Sequence, residues 1–291
     1  MLFIENVLAQ VDTIDLKRYQ CLTDSFRNGR RDYSNMPFLV HKAIALKDST
    51  LARGMADDYI DNYLLKLPDS VLYSKANMDF IRLNIWHSDS KGFTFCFRNH
   101  KRIDQVLGQP NAVWDVVKYI VSKEQVDSLL INAYANNTQP SWKTIKKMIS
   151  RKCNSEFADE IILDARIRWF GTKQSWKFYA HAIVEKVSKF GPFGLFDEPF
   201  QYNTLAWEVF QKTADKNDLQ TALLWSYKAM NSTETPNAAY LDTYANLLYK
   251  IGRRKEAMEW EERALRADSS FTEIKENLNK MKNEVPTWPT L

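Results

Sequence analysis

The side chains with the most reactive chemistry are few and scattered. The four histidines, His41, His87, His100 and His181, each stand alone in their stretch, and the three cysteines, Cys21, Cys96 and Cys153, lie far apart. Cys96 and His100 are four residues apart, so on a helix they share a face and could offer two ligands to a metal ion. No further ligand pair lies near them, so neither a metal site nor a bound cofactor is predicted. There is no C-x-x-C, which removes a locally built zinc ribbon or dithiol redox centre, and three lone thiols read as small buried apolar groups. The G-x-S-x-G elbow is absent, and Gly191–Pro192–Phe193–Gly194 is followed by no lysine of a phosphate loop. Catalytic groups can assemble from distant positions, so an enzyme with a site in a helical cavity stays open. Nothing in the chain marks a nucleophile, and we read it as non-catalytic.

The densest charge run is Lys143, Lys146, Lys147, Arg151 and Lys152, with no acid between 141 and 153. On a helix these cations lie opposite Trp142, Ile145 and Ile149. Such a face could touch nucleic acid, anionic lipid or an acidic protein, or be simply solvated. Nucleic acid asks for basic residues interleaved with exposed aromatics over a wide surface. The rest of the chain mixes signs, and its net charge is +4. A nucleic-acid-binding helical array using 143–152 is therefore the alternative function, and a protein or peptide partner the first.

The elements that must position these residues are helices. The 291 residues are 45% hydrophobic and 13% aromatic, enough for a sizeable core, and only 8 are glycine, well below the usual ~7%. Apolar residues recur at helical spacing in 14–28, 49–66 and 74–87. Pro37 suits the first turn of another helix, Pro140 starts one that runs through the basic stretch, and 112–134 gives one or two more. Phe93–Phe97 alternates in period two, but no second strand signal exists to pair with it, so it is predicted as a short helix followed by a basic turn at 98–102. Segments 155–170 and 173–189 read as a hairpin turned at Gly171, and 191–199 as a joint. No apolar run approaches the ~18 residues of a membrane span. The first ten residues read as a helix.

Residues 203–268 carry a repeat. Sliding Ala257, Trp260 and Ala264 back by 35 positions lands them on Ala222, Trp225 and Ala229. A period in the mid-thirties marks stacked helix pairs, and alanines seven apart give each second helix one small-residue face for its partner. Leu241, Tyr244, Ala245 and Leu248 fill the first helix of the second unit, and Gly252 holds its turn. Ala206 lies 16 residues before Ala222, whereas Ala245 lies 12 before Ala257, so the upstream unit has about one extra turn in its first helix or in the connection. Ser270–Phe271–Thr272–Glu273 reads as a capping box for a terminal lid helix, with 284–291 as a tail.

This pattern resembles a tetratricopeptide repeat. Two positions depart from it: Glu261 stands in the aromatic slot between the alanines, and Ser269 in the closing proline slot. The resemblance implies that the first helices line a concave groove for an extended peptide. By position that groove would hold Asn203, Trp207, Phe210, Gln211, Asp242, Asn246, Tyr249 and Lys250. The chain is also similar to the helical extension that follows the thioredoxin-like domain in a group of Bacteroidota proteins. Asn203–Trp207, Leu219–Trp225 and Asp242–Gly252 carry that likeness most specifically, Gly92–Phe93 and Trp169 more loosely. It implies an appendage to an envelope disulfide-exchange protein, with a thioredoxin-like domain as the partner, fused or separate. It places the chain in the cell envelope if it is a piece of such a protein, and in the cytoplasm otherwise. The thioredoxin domain and its C-x-x-C are not in this sequence, so no catalytic residue carries over. The expectation is an all-α helical-hairpin array: antiparallel pairs over 1–190, tetratricopeptide-like repeats with a capping helix over 200–283, and a tail at 284–291. Its function would be non-catalytic protein–protein interaction.

Overall fold

The computed structural model describes residues 13–194 and 196–289, with Thr13 and Ile14 described by backbone alone. The helix read for the first ten residues lies outside these. The chain is all-α, with no strand among the described residues, and consecutive helices pack as antiparallel hairpins. It divides into two compact units, Met1–Ile131 and Asn132–Leu291.

The first unit is built from α1 (Thr13–Arg27), α2 (Met36–Ala45), α3 (Ser49–Asn62), the single turn α4 (Asp69–Leu72), α5 (Lys75–Asn84), α6 (Lys91–Leu107) and α7 (Ala112–Ser122). Pro37 opens α2, where its missing N–H would have no partner anyway. Phe93–Phe97 is helical, as expected, but the helix runs on through Arg98–Arg102, so those cations form no turn. The alternating aromatics pack on two sides: buried Phe93 and half-buried Phe97, four residues apart, share a face and stack at 6.3 Å, with Phe97 also on Trp114 at 5.8 Å, while Phe95 meets Tyr73 at 5.8 Å. After α7 the helix widens into a π segment at Lys123–Asp127, where Glu124 accepts from the Ser88 N–H at 3.0 Å and from its hydroxyl.

α8 (Ser128–Ala135) continues the π segment, and the second unit follows with α9 (Trp142–Lys152), α10 (Ser155–Thr172), α11 (Trp176–Phe190), α12 (Glu198–Lys212), α13 (Lys216–Met230), α14 (Ala238–Lys250), α15 (Arg254–Ala267) and α16 (Thr272–Lys282). The α10–α11 turn does not use Gly171, which is helical. A Cβ there would sit 3.3 Å from the Tyr179 ring, so this glycine permits close packing, and Gln174, at φ 53°, makes the turn. Segment 191–199 does not divide the core: Ala180, Ile183 and Val187 of α11 belong to the same apolar cluster as α12–α16.

The alanine seams close as their spacing requires. Ala206, Ala222, Ala229, Ala245, Ala257 and Ala264 are all fully buried where α12 meets α13 and α14 meets α15. Small side chains there let the backbones approach, and nearby Leu219, Leu247 and Leu248 fill the space between. Both pairs turn through three residues, 213–215 and 251–253. The extra turn of the upstream unit sits mainly at the start of α13: Ala222 is its seventh residue, whereas Ala257 is the fourth of α15. Gly252 adopts φ +94°, and the Arg253 and Gly252 N–H groups return to the carbonyls of Leu248 (2.9 Å) and Tyr249 (3.0 Å), closing the end of α14. The predicted capping box is not formed. Ser270 gives its N–H (2.9 Å) and hydroxyl (2.6 Å) to Asp268, and α16 starts at Thr272 without a side-chain cap.

Candidate functional site

The residues assigned to a groove lie on one side of α12 and α14, but most of that side is covered. Phe210, Asp242, Asn246 and Tyr249 are buried, and Asn203, Trp207, Gln211 and Lys250 are half-buried. Two elements do the covering. α16 packs on both α14 and α15, because a terminal hairpin otherwise exposes its apolar face. The tail then folds back, and the Trp288 ring meets Phe210 edge-on at 6.3 Å and Tyr249 at 5.8 Å. The Lys250 ammonium lies 5.2 Å from the centre of Trp288 and 5.1 Å from that of Phe210, and it donates to the Phe210 carbonyl. Burial lowers the pKa of this amine to about 8. Trp207 sits 4.8 Å from Phe210 and extends the aromatic strip toward the start of α12.

At that other end the strip opens into a cleft of about 210 Å³ lined by Asn203, Trp207, Ala239, Asp242, Thr243, Phe271, Glu273 and Ile274. Asp242 belongs to its wall. Its Oδ1 accepts from the side-chain amides of Asn246 (2.9 Å) and Asn277 (3.1 Å). Asn246 therefore does not reach toward a ligand; it is fully buried and positions Asp242. Beside Asp242 lies Glu261, also fully buried. As a carboxylate, neither of its oxygens receives a donor. Burial first, then the charges of Asp242 and Glu273, raise its pKa far above the carboxyl range, and Asp242 is raised as well, chiefly by burial. Two adjacent buried carboxyls cannot both ionise cheaply. Glu261, the more strongly raised of the two, is driven to hold its proton, and in that form it can donate to Asp242.

Glu261, Glu273, Asn277, Phe271 and Trp288 were not among the predicted site residues. The sequence signal for Glu261 was its place in a slot that normally takes an aromatic ring. Trp260, one position earlier, is half-buried and meets Tyr244 edge-on at 5.3 Å, supplying the ring from a neighbouring position. Trp288 left no periodic signal, since it lies beyond the last helix.

The basic face forms on α9 as expected, opposite buried Ile145 and Ile149, with Met148 turned outward. It is partly neutralised: Lys146 pairs with Asp159 of α10, and Lys146 and Lys152 are half-buried, leaving Lys143, Lys147 and Arg151 exposed. Three of the four histidines, all but exposed His41, have separate structural partners. His87 Nε2 lies 3.3 Å from Asp57, His181 Nδ1 lies 3.0 Å from Asp218, and His100 Nδ1 lies 3.0 Å from the Phe97 carbonyl with its ring against Trp114. Cys96 is fully buried and its thiol is pushed up to about 12 by burial, which makes it unreactive. Among the described residues no group of three or more His, Cys, Asp or Glu side chains is placed to hold a metal ion, and no helix is long and apolar enough to cross a membrane.

Comparison with protein-family models, with curated proteins and with solved structures found no match to this chain.

Proposed function

We propose that the second unit is a non-catalytic interaction module of tetratricopeptide-like character, and that the strip along α12, α14 and α16 recognises an extended polypeptide. One observation supports this above the rest: a short non-helical segment of the chain itself, Pro286–Pro289, seats Trp288 on Phe210, Tyr249 and Lys250. The strip thus takes an aromatic residue carried on a proline-flanked, non-helical segment. Large rigid rings meeting in a desolvated patch beside a half-buried cation are the usual composition of an interaction hot spot. The tail acts as an internal occupant, and a partner with a similar aromatic anchor would displace it.

The test uses a full-length Trp288→Ala chain, which leaves the ring site empty, and a fluorescent peptide of sequence Glu284–Leu291. Saturable anisotropy with the variant, weaker binding to the unmodified chain and loss on adding Trp207→Ala would support the proposal. Equal weak binding to all three proteins would refute it. A purified thioredoxin-like domain is the second probe, because the sequence resemblance points to one.

A further inference from the structure

The open end of the strip has a chemistry of its own. The cleft's lining includes the carboxyl groups of Asp242 and Glu273 and the rings of Trp207 and Phe271. Its volume of about 210 Å³ falls below the ~300–1,000 Å³ that encloses a drug-sized molecule, and suits one long side chain. Both amide donors to the Asp242 carboxyl go to Oδ1, and Oδ2 receives neither. The side-chain oxygen of Asn203, another lining residue, is buried and has no donor. Behind Asp242, Glu261 is fully buried with no donor for its carboxylate, and the charges acting on it are those of Asp242 and Glu273. Arg253 pairs with Glu256, Arg254 with Glu284, and Lys250 with the Phe210 carbonyl, and no lysine or arginine is among the cleft's lining residues. The cleft is therefore lined by two carboxyl groups, an amide side chain and two aromatic rings, with a further buried carboxyl, Glu261, beside Asp242.

We propose that this cleft receives a lysine or arginine side chain of the partner polypeptide, and that the incoming cation replaces the proton held between Asp242 and Glu261. The inference deepens the interaction-module reading and rests on it. Trp207 and Phe271 would cover the aliphatic stem and face the cation. Asp242 Oδ2, Glu273 and the Asn203 oxygen would accept its N–H groups. The groups that govern the exchange are Asp242 and Asn246 from α14, Glu261 from α15, and Glu273 and Asn277 from α16. When the cation arrives, the Glu261 O–H bond breaks and the proton passes to solvent. The Asp242 and Glu261 carboxylates are then balanced by one bound cation, and the two amide donors to Asp242 Oδ1 stay in place. Because one proton leaves for each cation bound, affinity must rise with pH, up to about tenfold per pH unit while the pair remains protonated in the free protein.

The experiment uses the full chain, isotopically labelled, with n-butylammonium as a probe of the lysine head and stem and N-butylacetamide as its uncharged counterpart. Saturable chemical-shift changes at the Trp207 indole N–H and the Asn203 side-chain amide, seen with the cation alone and tightening between pH 5.5 and 8, are the expected result. Shifts of equal size with the uncharged compound, no saturable shift, or an affinity independent of pH would each overturn the proposal. Glu261→Gln removes the exchangeable proton while keeping a donor to Asp242, so that variant should still bind the cation but with affinity flat across this range. Asp242→Asn should abolish binding. If the tail peptide binds the Trp288→Ala chain while n-butylammonium does not bind at all, the cleft assignment fails and the module reading stands; the reverse result separates them the other way.

Discussion

Glu261→Gln should make the protein more stable at neutral pH, by an amount that grows with pH. In the unfolded chain Glu261 ionises with a pKa of 4.5, whereas burial and the neighbouring Asp242 and Glu273 raise it to about 11 in the folded chain. Between those limits the folded state holds one proton more than the unfolded state. The stability contribution of this group is thus complete below pH 4.5 and declines by about 1.4 kcal/mol per pH unit above it. At pH 7 the decline amounts to about 3 kcal/mol, and this figure depends only on the lower limit, since neutral pH lies well inside the window. Glutamine offers Asp242 an N–H donor in place of the carboxyl O–H and takes up no proton. The variant should match the parent near pH 4.5 and exceed it by up to about 3 kcal/mol at pH 7, less whatever the amide loses in packing. Urea unfolding of both proteins at pH 5, 6, 7 and 8 measures the difference, and amide exchange in α14 and α15 assigns the transition to the second unit. A variant that is less stable at pH 8, or a difference that does not change with pH, would refute the protonated Glu261 and require an ionised Glu261 held by a cation.

The other expectations are simpler. Ala257→Leu forces a branched side chain into the fully buried α14–α15 seam and should lower stability by about 1–3 kcal/mol, read as an earlier urea midpoint; no change would mean that the seam is slack. Lys250, whose amine is held at about 8 by burial, should titrate near pH 8 in a side-chain NMR experiment and move toward the ordinary lysine value in Trp288→Ala, because removing the ring admits water. Under native conditions a thiol reagent should modify exposed Cys21 rapidly and buried Cys96 only on unfolding; fast reaction of Cys96 would contradict the packing of α6. Any RNA binding through α9 should depend weakly on salt: Lys143, Lys147 and Arg151 alone are exposed there, so the slope of log K against log salt should be no steeper than about −2.

The helical character of the chain was legible because it rests on local signals. The 35-residue displacement of Ala257 and Ala264 onto Ala222 and Ala229 exposed the seams, and Gly252 and Pro37 marked a turn and a helix start that the structure contains. The failures occurred where a local signal met a competing partner. Ser270 satisfies the capping-box pattern, yet Asp268 captures it first. Gly171 looks like a turn glycine, but the Tyr179 ring claims the space beside it. Arg98–Arg102 looks like a polar turn, but the helix from Lys91 passes through it, keeping Ile103 and Leu107 buried. The groove residues were placed on the correct helices, since sequence position alone fixes that. Their burial was not legible, because α16 and Trp288 reach them from elsewhere in the chain, and no periodicity records a long-range contact. Glu261 was visible as a mismatch in the repeat, though its meaning required Asp242 and Asn277 to be seen beside it.

A chemical-shift map of the Trp288→Ala chain, with and without the Glu284–Leu291 peptide, tests the central claim most directly. The account predicts changes confined to Trp207, Phe210, Tyr249, Lys250 and their neighbours on α12, α14 and α16. Changes centred on the basic face of α9, or no changes at saturating peptide, would contradict it.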